Sequence, residues 1–184
     1  MNIVLYNIAE YSHFILIVIS LFLLWNNNNT LLYYYIIGVS LNELTNILLK
    51  ILIKQDRPKN DKANDYKAND DKANDDKDKL LSSNIQRYGM PSGHAQSVSF
   101  STMFIYLSLH NIYLTSIFII ISFIAIFQRV YLNFHTLKQV IVGMLVGSFL
   151  SYLFYKLALK NYFPIIHKYK FLLLLFPISF IHVF

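Results

Sequence analysis

The chain has 184 residues, of which 55% are hydrophobic, 16% aromatic and only 14% charged. A soluble domain carries about 25% charged residues, so this composition belongs in a bilayer rather than in water. The formal net charge of +6 does not indicate nucleic acid, because the Lys residues of the central polar tract alternate with Asp and form no basic stripe.

Cysteine is absent, which excludes a disulfide framework and thiolate chemistry. The N-terminus lacks the positive region and small-residue cleavage site of a signal peptide, so its apolar run reads as a retained span.

A spanning helix needs about 20 mostly apolar residues. In chain order, Tyr11 to Trp25 forms the core of a first helix, closed by the polar run Asn26 to Thr30. Leu31 to Ile53 is a second, carrying Asn42, Glu43, Asn46 and Lys50. Residues 59–80 are strongly polar and repeat the pattern Lys-Ala-Asn-Asp; with almost nothing apolar to bury, they read as a disordered insert of tolerant length. From Ala95 to Gln128 no residue is charged, room for a third and a fourth helix with the turn at His110-Asn111.

Val140 to Leu159 is a fifth helix, whose Gly143-x-x-x-Gly147 spacing reads as a packing seam. Phe171 to Phe184 is a sixth span or a half-buried tail. The expected fold class is therefore all-α: a polytopic membrane bundle of five or six helices, one domain over residues 1–184 with an insert at 59–80. Alternation of direction puts the ends of helices two and four and the starts of helices three and five on one face.

Three polar clusters fall on that face. Lys50 and Arg57 are seven residues apart, two turns on one helix side if helix two continues that far. Two such cations form a phosphate clamp, with snorkelling side chains at a helix end as the plainer reading. Tyr88-Gly89-Met90-Pro91-Ser92-Gly93-His94 precedes helix three. Pro91 suits a helix start, Ser92 can cap it, and the amides with the helix dipole attract an anion. Gly93 admits a close approach, and His94 is a candidate proton donor to a leaving oxygen. Between helices four and five, Arg129 adds a guanidinium and His135 a candidate nucleophile, because imidazole can attack phosphorus. A structural hydrogen-bonded His is the alternative for each imidazole.

Lys50 with Arg57-Pro58, then Pro91-Ser92-Gly93-His94, then Arg129 with His135 resemble the three-part signature of the type 2 phosphatidic acid phosphatase and vanadium haloperoxidase superfamily, over roughly Leu41 to Gly147. Leu41-Asn42-Glu43, Tyr88 to Ser92, and Arg129 to Leu132 with His135-Thr136 and Gln139 look most like its dolichyl-diphosphatase-type members. The resemblance implies hydrolysis of a polyprenyl diphosphate, or alternatively of phosphatidate or another lipid phosphate. Lys50, Arg57, Arg129, Ser92 and Gly93 would bind the phosphoryl group, His135 would attack, and His94 would protonate the leaving group. It implies no metal or other cofactor, and the sequence holds no metal-ligand cluster.

One departure stands out. The general family has a carboxylate four positions after the nucleophile, where this chain has Gln139, and a Ser where it has Gln128. Gln139 can orient the ring without supporting its charge, so a catalytically dead lipid-phosphate binder is the competing reading. Glu43, an ionisable group in a span, is a candidate to support the active-site His or to pair with Arg129; a plain ion pair within the bundle is the alternative. Lys156, Lys160, Lys168 and Lys170 on the far face favour that face as cytoplasmic, leaving the active face lumenal or extracellular, for instance in an endoplasmic reticulum-like membrane.

Overall fold

The computed structural model describes residues 3–58 and 87–160, with side chains from residue 6 onwards. The insert at 59–80, the stretch 171–184, and Lys168 and Lys170 lie outside the described residues. Among these described residues five helices follow in order: α1 (Ile3–Asn27), α2 (Asn29–Ile53), α3 (Gly93–Leu109), α4 (Ile112–Tyr131) and α5 (Leu137–Lys160).

The breaks between helices have local causes. Asn28 separates α1 from α2, its side chain accepting from the backbone N–H of Thr30 at 2.9 Å and of Leu31 at 3.2 Å. This is the oxygen cap that an exposed helix N-terminus requires. The turn expected at His110-Asn111 is present: His110 ends α3 at φ 49°, and Asn111 caps α4 through the amides of Tyr113 and Leu114, each at 3.1 Å. At α2, Lys54 takes φ 50° and its N–H bonds back to the Lys50 carbonyl, so the helix stops there.

α1, α2, α4 and α5 are long and apolar enough to cross a membrane. α3, with 17 residues, falls short of the roughly 20 that a span needs. It touches each of the other four helices and is buried at their centre. Its inward residues include Gln96, Ser97, Ser99 and Ser101 beside Val98, Phe100, Phe104 and Ile105. Large apolar side chains such as Phe22, Leu52, Tyr113, Phe123 and Phe149 point outward. A water-soluble bundle would hide these; hydrocarbon solvates them, and polar groups pack inside. The molecule is a polytopic helical membrane protein.

α3 and α5 are the closest pair. A Cβ at Gly143 would stand 2.6 Å from the Ser92 carbonyl oxygen, and one at Gly147 would collide with the Gln96 carbonyl. The glycine seam thus serves packing, as its spacing suggested, and lets the two helices meet backbone to backbone. Tyr35, Phe100 and Phe104 fill the core toward the half of α3 away from its N-terminus.

Candidate active site

The site assembles where α2 ends, α3 begins, and α4 passes into α5. Arg57 does not reach it on an extended α2, since the helix stops at Ile53. Instead residues 55–57 pair with 87–89: Gly89 N–H donates to the Gln55 carbonyl at 2.8 Å, and Arg57 N–H to that of Arg87 at 3.3 Å. This short antiparallel neck, with its Asp56–Tyr88 bridge, joins the two ends of the insert. An exposed Arg87–Asp56 ion pair at 3.0 Å lies on its outside, where water screens it.

Gln139 ties the neck to the rest. Its Nε2 donates to the Asp56 carbonyl at 3.0 Å, so its Oε1 is the acceptor. That oxygen receives the Thr136 N–H at 3.1 Å, while Thr136 Oγ1 receives the Gln139 N–H at 3.3 Å. The reciprocal pair is a capping box, which closes the start of α5. The same Oε1 lies 3.2 Å from His135 Nδ1. An amide oxygen can only accept, so Nδ1 carries the ring hydrogen and Nε2 keeps the lone pair.

His135 is 4% exposed, in a loop shaped by Asn133 at φ 56° and by the His135 N–H bonding to the Arg129 carbonyl at 3.0 Å. Burial, then the charges of Arg57 and Lys50, and finally Arg129, push its pKa down to about 3, against a smaller upward pull from Gln139. The imidazole is therefore neutral at physiological pH and surrounded by cations. Lys50 and Arg129 are both buried, and the Arg129 guanidinium also lies 5.1 Å from the centre of the Phe134 ring.

Ser92 occupies the N-cap position of α3, but its side chain makes no capping bond. The expectation of a Ser92 cap is corrected: Oγ is buried with no hydrogen-bond partner among the described residues. Pro91 likewise sits ahead of the helix rather than in its first turn, because α3 begins at Gly93. The Ser92 N–H is held by the Gln139 carbonyl at 3.0 Å, which joins the second cluster to the third. Gly93 packs against Asn46, whose Oδ1 would be 3.3 Å from any Cβ there. Asn46 bonds to Gln96 Oε1 at 2.8 Å, and Gln96 Nε2 to the carbonyl and side-chain oxygens of Asn42 at 2.8 and 3.0 Å. A buried polar network therefore underlies the start of α3.

His94 Nε2 bonds to the backbone carbonyl of Glu10 at 3.2 Å, and its ring meets that of His13 edge to face at 4.2 Å. Arg129 Nη2 and Glu10 Oε2 stand 2.9 Å apart, a charge contact without hydrogen-bond alignment. The carboxylate on Arg129 is thus Glu10 and not Glu43. Glu43 instead hydrogen-bonds Ser97 and lies near the charge of Lys50. Gln128 donates to the Tyr6 carbonyl at 3.2 Å, binding α4 to α1.

The sequence-derived candidates gather at one end of the bundle around His135 and His94, with Glu43 at the edge beside Ser97 and the charge of Lys50. Glu10, His13 and the Asn42–Gln96–Asn46 network were missed. The signal for Glu10 was present: alternation of direction also puts the start of helix one on this face, and Glu10 and Glu43 are the only acidic residues outside 56–78.

The fold and site define a class: a helical membrane protein with His135, His94 and His13 gathered with Lys50, Arg57 and Arg129 at one end of its bundle. The PAP2 superfamily model matches residues 29–163, and the chain belongs to that superfamily. It is 30% identical over 174 residues to the dolichyldiphosphatase of Saccharomyces cerevisiae, a match covering 84% of this chain and 67% of that protein. Dolichyldiphosphatase 1 of Homo sapiens is 28% identical over 69% of this chain and 54% of its own length. The chloroplastic lipid phosphate phosphatase epsilon 1 of Arabidopsis thaliana is 28% identical over 65% of this chain and 38% of its own. The chain thus spans between about two fifths and two thirds of these relatives. No solved structure matches it significantly.

Proposed function

We propose that this protein hydrolyses a polyprenyl diphosphate at the membrane surface by transient transfer of a phosphoryl group to His135, with cationic side chains rather than a metal supplying the charge. Its superfamily and its similarity to named lipid phosphatases make it a phosphatase of lipid phosphates. The substrate choice is supported by the dolichyldiphosphatases among its relatives.

The observation that carries the mechanism is His135 held by Gln139 with Nδ1 protonated and Nε2 bearing the lone pair, beside the charges of Lys50, Arg57 and Arg129. In the first step that lone pair attacks the terminal phosphorus. A P–N bond forms as the P–O bond to the lipid phosphate breaks, and His94, entering the step as an imidazolium beside the negative charge of the bound diphosphate, gives its Nδ1 proton to the leaving oxygen. Lys50, Arg57 and Arg129, with the Ser92 hydroxyl and the Gly93 amide, balance charge on the equatorial oxygens. In the second step water attacks phosphorus, His94 accepts its proton, the P–N bond breaks, and inorganic phosphate leaves.

The test is phosphate release by purified protein in detergent with a chelator present, wild type against His135→Ala, with farnesyl diphosphate and phosphatidate offered side by side. The reading requires turnover by wild type, none by His135→Ala, and preference for the diphosphate. A phosphatidate preference moves the substrate to the alternative. Binding without turnover makes the chain a lipid-phosphate binder. Lys156 and Lys160 at the opposite end of the bundle favour a cytoplasmic placement of that end. In sealed microsomes a membrane-impermeant diphosphate would then be hydrolysed only after permeabilisation.

A further inference from the structure

The superfamily match begins at residue 29, so α1, which ends at Asn27, lies outside it. Two residues of α1 nevertheless reach the centre of the site. Glu10 and His13 are three apart and share a helix face. The Glu10 carboxylate stands 2.9 Å from the guanidinium of Arg129 on α4. Its backbone carbonyl accepts from Nε2 of His94 on α3 at 3.2 Å. The His13 ring closes edge to face on the His94 ring, 4.2 Å between centroids.

One residue of α1 therefore grips candidate groups from two other helices at once. A carbonyl oxygen only accepts, so its bond assigns the Nε2 hydrogen of His94 and leaves Nδ1 as the nitrogen that exchanges a proton with the substrate. Arg129 sits on a flexible stem, and its guanidinium helps the reaction only if it is already aimed when charge builds on the phosphoryl oxygens.

We propose that Glu10 is a positioning residue of the phosphatase site, its carboxylate aiming Arg129 and its carbonyl fixing His94, while His13 braces the His94 ring. The proposal rests on the phosphatase reading above. A carboxylate that merely offsets a buried cation makes the opposite prediction for anions: its removal raises the local positive charge and tightens their binding. A carboxylate that aims Arg129 makes its removal weaken whatever resembles the transition state and spare ground-state binding.

The experiment compares wild type, Glu10→Gln and Glu10→Asp in detergent, with a cooperative thermal melt as the fold control. It reads kcat and KM on farnesyl diphosphate, and orthovanadate affinity by calorimetry. In Glu10→Gln, kcat and vanadate affinity are each expected to fall about tenfold or more, with KM within about twofold of wild type. Glu10→Asp keeps the charge but shortens the reach by one methylene, so both quantities fall in it too, to a smaller extent. If Glu10→Gln does not melt cooperatively, Glu10→Asp carries the same readouts.

Wild-type kcat in the variants, or unchanged or tightened vanadate binding, overturns the proposal. If wild type binds vanadate without hydrolysing any lipid phosphate, the phosphatase reading falls, and weakened vanadate binding in Glu10→Gln still supports the aiming of Arg129. A wild type that neither turns over nor binds vanadate overturns both.

Discussion

His135 is a base placed where it cannot readily become an acid. Burial, followed by the Arg57 and Lys50 charges, holds its pKa at about 3, against an ordinary value of 6.5. The proposed nucleophile thus stays unprotonated among the cations assigned to the phosphate, a state that a carboxylate in place of Gln139 would work against by favouring the imidazolium. The arrangement carries a stability cost of definite sign. Between pH 6.5 and about 3 the unfolded chain protonates this histidine and the folded one does not, so stability falls as pH drops through that window. The decline from pH 7 to 5 should be about 2 kcal/mol relative to His135→Asn, which lacks the group. Thermal midpoints of the two ligand-free proteins in detergent measure this, with other titrating groups common to both. A parallel pH dependence in wild type and variant would show that His135 titrates normally.

At the scale of elements, the start of α5 and the neck of the insert are built around a single side chain. Gln139 completes the capping box, anchors Asp56 and orients His135, and Gly89 lies flat against it: a Cβ there would stand 2.6 Å from Oε1. The obstacle at Gly89 is the end of a side chain, so Gly89→Ala should still fold, at a somewhat lower thermal midpoint because the capping box is disturbed, while displacing Gln139. Its kcat is expected to fall by about 10- to 100-fold, the usual effect of misplacing a catalytic group by about an ångström. Phosphate release set beside the thermal melt tests it, and wild-type kcat would break the proposed link from Gly89 to His135. The capping box was legible as Thr136-x-x-Gln139, and the turns at Asn28 and Asn111 likewise follow from Asn chemistry that is local in sequence. Arg57 lies near His135, but not by the route read from the sequence. Heptad spacing assumed a continuing helix, whereas the chain leaves α2 at Lys54 and returns through pairing with residues 87–89, a contact across the insert that no local pattern encodes.

For the whole molecule, the part that composition concealed is its centre. α3 is the shortest of the described helices and carries Gln96 and three serines among its buried residues, because the other four shield it from lipid. A polar central helix needs partners that the sequence lists without pairing, which is why the Asn42–Gln96–Asn46 network was invisible beforehand while the Gly143–Gly147 seam was not. The two are joined at Gln96: its side chain binds Asn42 and Asn46 of α2, and its backbone carbonyl touches Gly147 of α5. At Gly147 the obstacle to a Cβ is backbone, which cannot rotate away as Gln139 can. Gly147→Ala must therefore part α3 from α5, and overpacking of this kind costs about 1–3 kcal/mol. The strain should pass through Gln96 to Asn46 and Gly93, lowering the thermal midpoint together with phosphate affinity. Gly147→Leu should yield no folded protein. Melting curves and orthovanadate titrations on Gly147→Ala decide the matter: a lower midpoint with unchanged vanadate affinity would show that the seam supports the bundle without setting the geometry of the proposed phosphate site.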